Sequence, residues 1–459
     1  MSYIEEIENK RNKITELSDY IWDNPETAFT EFKSAQYIKE ALRSEGFTVE
    51  ENIADIETAF KGSFGSGHPV IGILGEFDSL SGLGQESGSP VKSPDGHSCG
   101  HGCGHNLIAG GTFGAVLGIK KYLEESGKPG TVVFFGCPGE EGGSGKTFMA
   151  GAGAFDELDA ALTYHPSDSS RIKETGSLAN VQVLYRFDGI ASHAGDKPHL
   201  GRSALDAVEL MNTGANFLRE HIIQEARIHY AITDAGGYSP NVVQAHAEVL
   251  YLIRAPKTKT ALEIFERVND IAKGAALMTG TTESHEFIKA CSDTVLNDTI
   301  QRVFHRKVTE LGIPVPDEAS LKLAKDITEN SLMDIPHDIE HPLHYELEPY
   351  KGYFTQKYGS TDVGDVSYIC PTAQFYGCSV AYGSPGHSWQ WTAFGKQPYA
   401  HEMEIFAAKA MAATAAELYE HTDIIEAAKK ELKEKVPEGY ECPIPKGIKP
   451  RSMTSFIKQ

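Results

Sequence analysis

The apolar pattern of the first half predicts alternating helices and buried strands. Residues Ile4, Ile7, Ile14, Leu17 and Ile21 fall on one stripe at helical spacing, which predicts an amphipathic helix at the start of the chain. A second helix is predicted over residues 26–47, with Gly46 as its stop signal.

Three later apolar runs lack alternation, as strands buried on both faces do. They cover Val70–Asp78, the run ending at Cys137-Pro138 and the run ending at His165, and a helix rich in small residues, 106–127, follows the first. Strands separated by helices predict a parallel α/β sheet. Ligands gather at the carboxyl ends of such strands, where four candidate side chains lie: Asp78, Glu140, Glu141 and His165.

From about Val181 the strands alternate, and the element order becomes β-α-β-β-α-β. This order predicts a ferredoxin-like (split βαβ) sandwich inserted in the α/β fold. The helix–strand pattern returns after Ser292. We therefore predict a catalytic domain in two segments, 1–180 and 292–435, an inserted domain at 181–291 and a Pro- and Lys-rich tail at 436–459.

Composition narrows the function classes. Lys and Arg number 42 and Asp and Glu number 64, for a net charge of −22. This balance argues against nucleic acid, whose binding needs a basic footprint, and against an anionic membrane surface. The sequence shows no signal peptide and no run of 18 apolar residues, so we predict a cytoplasmic protein without a membrane partner.

The stretch "HSCGHGCGHN", residues 97–106, carries three histidines and two cysteines. It could be a metal site, a redox loop or a polar turn. The interspersed glycines disfavour a helix and favour a loop leading into a helix near Asn106. Thiolate and imidazole are good ligands for zinc and other first-row metals, and Cys103 and His105 can face the same side. We favour a metal site.

Other candidates are ambiguous one by one. Glu140 and Glu141, adjacent on a turn, could divide the roles of general base and metal ligand, or form a solvated acidic turn. His165 could be a core histidine, and His387 could be an ordinary turn residue. Asp78 could cap the end of a strand, or it could be a carboxylate that orients a ligand histidine. Together with the cysteine and histidine of the loop, they supply possible metal ligands and a spare carboxylate.

The motifs "GEFDSL", "GHGCGHN", "PGEEGG", "TYHPS", "FDGIASHAG", "GRSALDAVELMN" and "SPGHSWQ" occur in this order. The set resembles the M20 metallopeptidase/amidohydrolase family, in its aminoacylase-like branch. Related auxin-conjugate hydrolases carry Asp and a later His where this chain has Asn106 and Leu107-Ile108, so the pattern is closer to aminobenzoyl-glutamate hydrolases and M20 dipeptidases. The resemblance implies a zinc-peptidase-like catalytic domain with an inserted ferredoxin-like lid of a kind that often mediates dimers.

The resemblance also implies roles for individual residues and a cofactor of two divalent ions, zinc or manganese, with cobalt as a third option. The implied metal ligands are Cys103, His105, Glu141, His165 and His387. Glu140 would be the general base that activates the attacking water, Asp78 would orient a ligand, and His193 would stabilise the oxyanion in its own or the partner subunit's active site. Asn241 and Arg254 would hold a substrate carboxylate, although a surface position explains each of them equally well.

The predicted function is metal-dependent hydrolysis of an amide bond next to a carboxylate, as in aminobenzoyl-glutamate, dipeptides or N-acyl amino acids. The expected partners are a small-molecule substrate and a second copy in a homodimer, with a different subunit as the other option. One alternative is a non-catalytic or heteromeric subunit of an amidohydrolase. A thiol oxidoreductase using Cys99 and Cys103 is disfavoured, because the two cysteines do not form a Cys-x-x-Cys pair.

Overall fold

The computed structural model describes residues 2–331 and 338–452, which form two compact units. The first unit comprises the residues up to Thr175, Val295–Thr355 and Val366–Tyr440. The second comprises Gly176–Thr294, Gln356–Asp365 and the residues from Glu441 on. All of the predicted insert, 181–291, lies in the second unit. The predicted tail extends past the described residues from position 453 on.

The helices of the described residues follow in chain order: α1 (Ser2–Asn9), α2 (Arg11–Asp23), α3 (Phe32–Ser44), α4 (His105–Ser126), α5 (Gly145–Gly151), α6 (Ala204–Leu218), α7 (Thr258–Thr279), α8 (Asp298–Leu311), α9 (Glu318–Glu329), α10 (Val363–Ile369), α11 (Trp389–Phe394), α12 (Pro398–Glu420) and α13 (Thr422–Lys435). The strands follow in the same way: β1 (Thr48–Glu51), β2 (Phe60–Ser66), β3 (Val70–Glu76), β4 (Leu80–Ser81), β5 (Cys99–Gly100), β6 (Gly130–Cys137), β7 (Ala160–Ser167), β8 (Ser169–Ile172), β9 (Thr175–Gly176), β10 (Ala179–Asp188), β11 (Arg227–Asp234), β12 (His246–Ala255), β13 (Thr282–Cys291), β14 (His344–Leu347), β15 (Thr355–Gln356) and β16 (Thr372–Cys378).

An eight-stranded sheet organises the first unit, in the order β1-β2-β6-β3-β7-β16-β8-β14. Its central strands β6, β3, β7 and β16 run parallel, as the sequence predicts. The prediction of a parallel sheet is wrong at the flanks, where β1, β2 and β8 run antiparallel to their inner neighbours. A single residue separates β7 from β8, which leaves no room for the crossover that parallel pairing requires.

The buried helix α4 lies against this sheet and against α12 and α2. Its glycines permit the close approach: a Cβ at Gly114 would lie 2.8 Å from Ile14 Cδ1 and 2.9 Å from Ala408 Cβ. The small residues of the predicted helix therefore allow its close packing. In the part of the chain that the structure describes, no helix has the length and hydropathy needed to cross a bilayer.

Two N-terminal predictions need correction. The predicted first helix is two helices, because the backbone breaks at Lys10, although Ile14, Leu17 and Ile21 keep one buried stripe. The predicted second helix begins only at Phe32. The backbone before it turns at Phe29, which has a φ of 61°.

The second unit confirms the predicted split βαβ order, with elements β10, α6, β11, β12, α7 and β13. Its antiparallel sheet has the order β11-β12-β10-β13, and α6 and α7 pack against it. Residues of β12 alternate strictly between buried and partly exposed. This alternation is the pattern of a sheet with one covered face.

Glu404 of α12 is fully buried, and neither of its carboxylate oxygens has a hydrogen-bond partner among the described residues. Burial raises the pKa of this carboxyl well above its usual value. Because the folded state then binds the proton more tightly than the unfolded state, stability is lost as the pH rises above the ordinary carboxyl pKa.

We therefore expect Glu404→Gln to be more stable than the wild-type protein at pH 8 and to lose that advantage at pH 5. The gain is about 1–3 kcal/mol, the cost of a buried group without partners. Thermal unfolding at both pH values measures it. Glu402→Gln, whose parent side chain is 48% exposed, is the matched control, and an equal pH dependence of Glu404→Gln and wild type would contradict the expectation.

Candidate active site

The carboxyl ends of three adjacent parallel strands bring the predicted acidic and histidine residues together. Asp78 follows β3, Glu140 and Glu141 follow β6, and His165 lies near the end of β7. β3 pairs with both β6 and β7 in parallel. These side chains therefore meet at one edge of the sheet.

The start of α4 adds Cys103 and His105 to this edge. Gly104, between them, adopts a left-handed φ of 73° immediately before the helix. A Cβ at this position would lie 2.9 Å from Pro166 Cγ. Glycine therefore lets the chain turn into the helix close to the end of β7.

A hydrogen-bonded chain orients His105. Its Nδ1 lies 3.0 Å from Asp78 Oδ1, and the other Asp78 oxygen accepts a hydrogen bond of 2.8 Å from the backbone N–H of Glu141. His105 Nδ1–H therefore donates to the carboxylate, which leaves a lone pair on Nε2. Nε2 is buried and has no hydrogen-bond partner among the described residues, as a ligand nitrogen should be before it binds an ion.

His165 is held in the same way. Its Nδ1 lies 2.6 Å from the carbonyl oxygen of Pro166, so Nδ1–H donates and Nε2 keeps the lone pair. Nε2 lies 3.5 Å from Cys103 Sγ. The His105 and His165 rings are thus both oriented with an Nε2 lone pair near the Cys103 thiol.

His387 reaches the site from a distant part of the sequence. Its backbone φ is 60°, and its N–H donates to the carbonyl of Gly102 at 3.0 Å. Its Nε2 lies 2.9 Å from Glu141 Oε1. The left-handed backbone of this exposed residue is of the kind that clusters at functional sites.

Three groups of side chains that lie wholly within the described first unit have ligand atoms within 4.8 Å of one another: Cys103 with His105 and His165, Cys103 with Glu141 and His387, and His105 with Glu140 and Glu141. All six predicted metal-ligand and general-base residues of the first unit are included. Cys103, His105 and Glu141 each belong to two of these groups. The donor set of thiol, imidazole and carboxylate suits zinc and other first-row metals.

The electrostatics of the site follow from its burial and its close charges. Burial, reinforced by the charge of Glu141, raises the pKa of Cys103. Burial lowers the pKa of His165 to about 4. For His105, burial opposes the charged form, but Cys103 and Asp78 outweigh it and raise the pKa.

Glu31 supports the acidic turn and was missed from the sequence. Its buried carboxylate accepts 2.9 Å hydrogen bonds from the backbone N–H groups of Phe29 and Gly139. The Phe29 ring covers the same turn, since a Cβ at Gly139 would lie 2.8 Å from it. Burial and the charge of Asp78 raise the pKa of Glu31 to about 8. An acid 109 residues before Glu140 offers no sequence signal for this contact.

A buried ion pair also lies beside the site. Glu76 Oε1 is 2.6 Å from Lys146 Nζ, and Glu76 Oε2 is 3.5 Å from His105 Nε2. Burial opposes the Glu76 charge, but Lys146, His105 and His165 together outweigh it and lower the pKa of Glu76 to about 2. The sequence signal for Glu76 was its place in the same predicted apolar run as Asp78, two residues before it.

The remaining residues of the motif "HSCGHGCGHN" lie outside the cluster. Cys99 donates through Sγ to the carbonyl of Pro25 at 2.9 Å. His101 is buried, with Nε2 3.1 Å from the carbonyl oxygen of Ile21. His97 is exposed in a loop, next to Asp95. The two cysteines therefore have different surroundings, which gives no support to a redox pair.

His193, Asn241 and Arg254 lie in the second unit. Exposed His193 accepts hydrogen bonds at Nδ1 from the backbone N–H groups of Gly195 and Asp196. The Asn241 carbonyl accepts from Ala194 N–H at 2.9 Å, which places Asn241 beside the same loop. Arg254 of β12 donates to Ser360 Oγ at 2.7 Å. The catalytic and substrate-binding roles of these three residues stay predictions.

Comparison with known proteins confirms the resemblance seen in the motifs. The sequence profile described as Peptidase family M20/M25/M40 matches residues 72–447. The chain is 47% identical to one of the subunits of p-aminobenzoyl-glutamate hydrolase from Escherichia coli (strain K12), over 97% of each chain. It is 27% identical to Xaa-Arg dipeptidase of Mus musculus, over 95% of this chain and 92% of that protein.

The fold agrees with these matches. A Bacillus subtilis crystal structure, described as a dinuclear metal-binding peptidase from the M20 family, superposes with a TM-score of 0.59 at 16% identity. The match covers 90% of this chain and 99% of the other. The predicted fold class is thereby confirmed, and the chain belongs to peptidase family M20/M25/M40, as an amidohydrolase.

Proposed function

We propose that the chain hydrolyses an amide bond next to a carboxylate in a small molecule, with two divalent metal ions at the cluster around Cys103. The observation that carries the proposal is the set of overlapping groups of ligand atoms at the sheet edge. Cys103, His105 and Glu141 each occur in two of these groups, and this overlap supports two neighbouring ions rather than a single ion.

The residues present fit such ions. His105 Nε2 is a buried atom without a hydrogen-bond partner in the described part of the chain, and such an atom is costly unless a ligand satisfies it. Cys103, His105, Glu141, His165 and His387 would hold the ions. When bound, the ions would polarise the amide carbonyl and acidify the attacking water. Zinc and manganese both suit these donors, and cobalt is the third option.

Glu140 is the proposed general base. It shares one group with His105 and Glu141 but belongs to neither of the two groups that contain Cys103. It can therefore take the proton of the attacking water and return it to the leaving nitrogen. Asp78 keeps the His105 lone pair directed at the cluster.

His193 is the proposed donor to the developing oxyanion. Because its Nδ1 accepts two backbone hydrogen bonds, its proton resides on Nε2. An exposed N–H of this kind can donate to an oxyanion. Asn241 and Arg254 are the proposed carboxylate-binding residues, and the planar guanidinium of Arg254 suits a carboxylate.

Aminobenzoyl-glutamate is the proposed substrate. The relative named for that substrate is 47% identical to this chain, against 27% for the Xaa-Arg dipeptidase. Dipeptides and N-acyl amino acids are the next candidates. Because the Escherichia coli relative is named as one subunit of its enzyme, a complex with a different subunit is also proposed, and the inserted unit is the proposed surface for a homodimer. We propose a cytoplasmic location.

The test is release of free amino acid from aminobenzoyl-glutamate, β-alanyl-lysine and N-acetyl amino acids, with zinc or manganese and again with a chelator. We expect chelator-sensitive cleavage of aminobenzoyl-glutamate that returns when metal is added. Cleavage unaffected by chelator would contradict the metal mechanism. No cleavage with metal demonstrably bound would favour the non-catalytic or heteromeric alternative.

A further inference from the structure

One row of side chains crosses three strands from the proposed metal cluster. Tyr376 of β16 is in register with His165 of β7 on one side and with Arg171 of β8 on the other. Residues directly opposite one another on paired strands share a face of the sheet. The ring centroids of His165 and Tyr376 are 5.7 Å apart, and the Arg171 guanidinium carbon lies 4.7 Å from the Tyr376 centroid.

Lys173 follows the last residue of β8 directly, and its side chain reaches the same ring as Arg171. The residue is only 5% exposed. Its Nζ lies 5.9 Å from the centroid of the Tyr376 ring. Within the described residues, no carboxylate forms an ion pair with the Lys173 ammonium, and no acceptor forms a hydrogen bond with it. Buried charges are ordinarily paired, so the ammonium is suited to receive an anion.

Arg171 has unused donors on the same face. Its Nη1 donates to Ser167 Oγ at 3.2 Å and to the carbonyl of Ser169 at 3.3 Å, and it lies 3.8 Å from Asp168 Oδ1. Its Nε and Nη2 have no hydrogen-bond partner among the residues described. Nε–H and an Nη–H together form the edge of a guanidinium that binds a carboxylate through two parallel hydrogen bonds.

We propose that Arg171 and Lys173, on either side of Tyr376, bind an anionic group of the substrate and select amides whose amino-acid part carries a side-chain carboxylate. The inference rests on the proposed function, which places the scissile amide at His165. Two cations beside the site favour a glutamate part and disfavour an arginine part through like-charge repulsion. The subsite thus gives a physical reason to prefer glutamate conjugates over Xaa-Arg dipeptides.

The test compares hydrolysis of aminobenzoyl-glutamate with that of aminobenzoyl-glutamine, which has the same length and a neutral side chain. We expect a wild-type preference for glutamate in kcat/KM of about 10- to 100-fold, the range of one charge-assisted hydrogen bond. Lys173→Met and Arg171→Gln should each reduce this preference at least several-fold, mainly through KM. Lys173→Arg, which keeps the charge, should retain most of it.

Lys39→Met is the matched control. Lys39 is 7% exposed in the same unit but pairs with Glu51 at 2.6 Å, so its loss should leave the glutamate preference unchanged. If both Lys173→Met and Arg171→Gln fold, hydrolyse both compounds and keep the wild-type preference, the subsite is wrong while the proposed function stands.

If the metal-loaded wild-type protein hydrolyses neither compound, the proposed function fails. The subsite is then tested separately by measuring the binding of glutarate by calorimetry. Weaker binding of glutarate by Lys173→Met than by wild type, by about 10-fold or more, would still support it. Equal binding, or no binding to the wild-type protein, would overturn it.

Discussion

Glu140→Gln is expected to lower kcat by about a thousand-fold, within the range for loss of a general acid–base group, while the protein keeps its metal. The glutamine side chain has nearly the same shape as glutamate but cannot accept a proton. Glu140 belongs to neither of the two groups that contain Cys103. Its replacement should therefore remove the proton transfer and leave metal binding intact.

Turnover of aminobenzoyl-glutamate and metal content after dialysis together measure this effect. Glu141→Gln is the matched control, because it changes the adjacent carboxylate, which contacts His387. That variant should lose metal as well as activity. Near-normal turnover of Glu140→Gln, or a loss of metal equal to that of Glu141→Gln, would contradict the proposal that Glu140 is the general base and Glu141 a metal ligand.

The part of the site closest to the strand ends could be predicted from sequence. Buried parallel strands are recognisable as apolar runs, and the residues that follow them must meet at one edge. This reasoning placed Asp78, Glu140, Glu141 and His165 together, as the structure does. The glycines of "HSCGHGCGHN" likewise predicted the loop that precedes α4.

Contacts that depend on tertiary packing could not be predicted in this way. Glu31 reaches Gly139 only because the chain turns at Phe29 instead of continuing the predicted helix. Lys146 pairs with Glu76 inside the fold, where sequence shows two unrelated charges. The antiparallel strand β8 was missed because four residues are too few to show a pattern, although it carries Arg171.

Replacing Cys103 should lower activity about as much as Glu140→Gln does, but through loss of metal binding. Cys103→Ala removes the only thiol in these three groups of ligand atoms, and two of the groups contain it. We expect a loss of metal affinity greater than the 10- to 100-fold typical of a residue that only supports a ligand, with activity falling in parallel. Equilibrium dialysis against zinc and against manganese, with turnover measured on the same samples, tests this.

Cys99→Ala is the matched control, since Cys99 lies four residues away and donates to the carbonyl of Pro25 instead of joining the cluster. We expect it to retain both metal and activity. A thiol-based reaction that used both cysteines would lose activity in either variant and would survive a chelator. Equal loss of activity in the two variants, without loss of metal, would therefore exclude Cys103 as a ligand. Loss of metal in Cys103→Ala alone would show that its thiolate binds the ions and does not take part in a redox reaction.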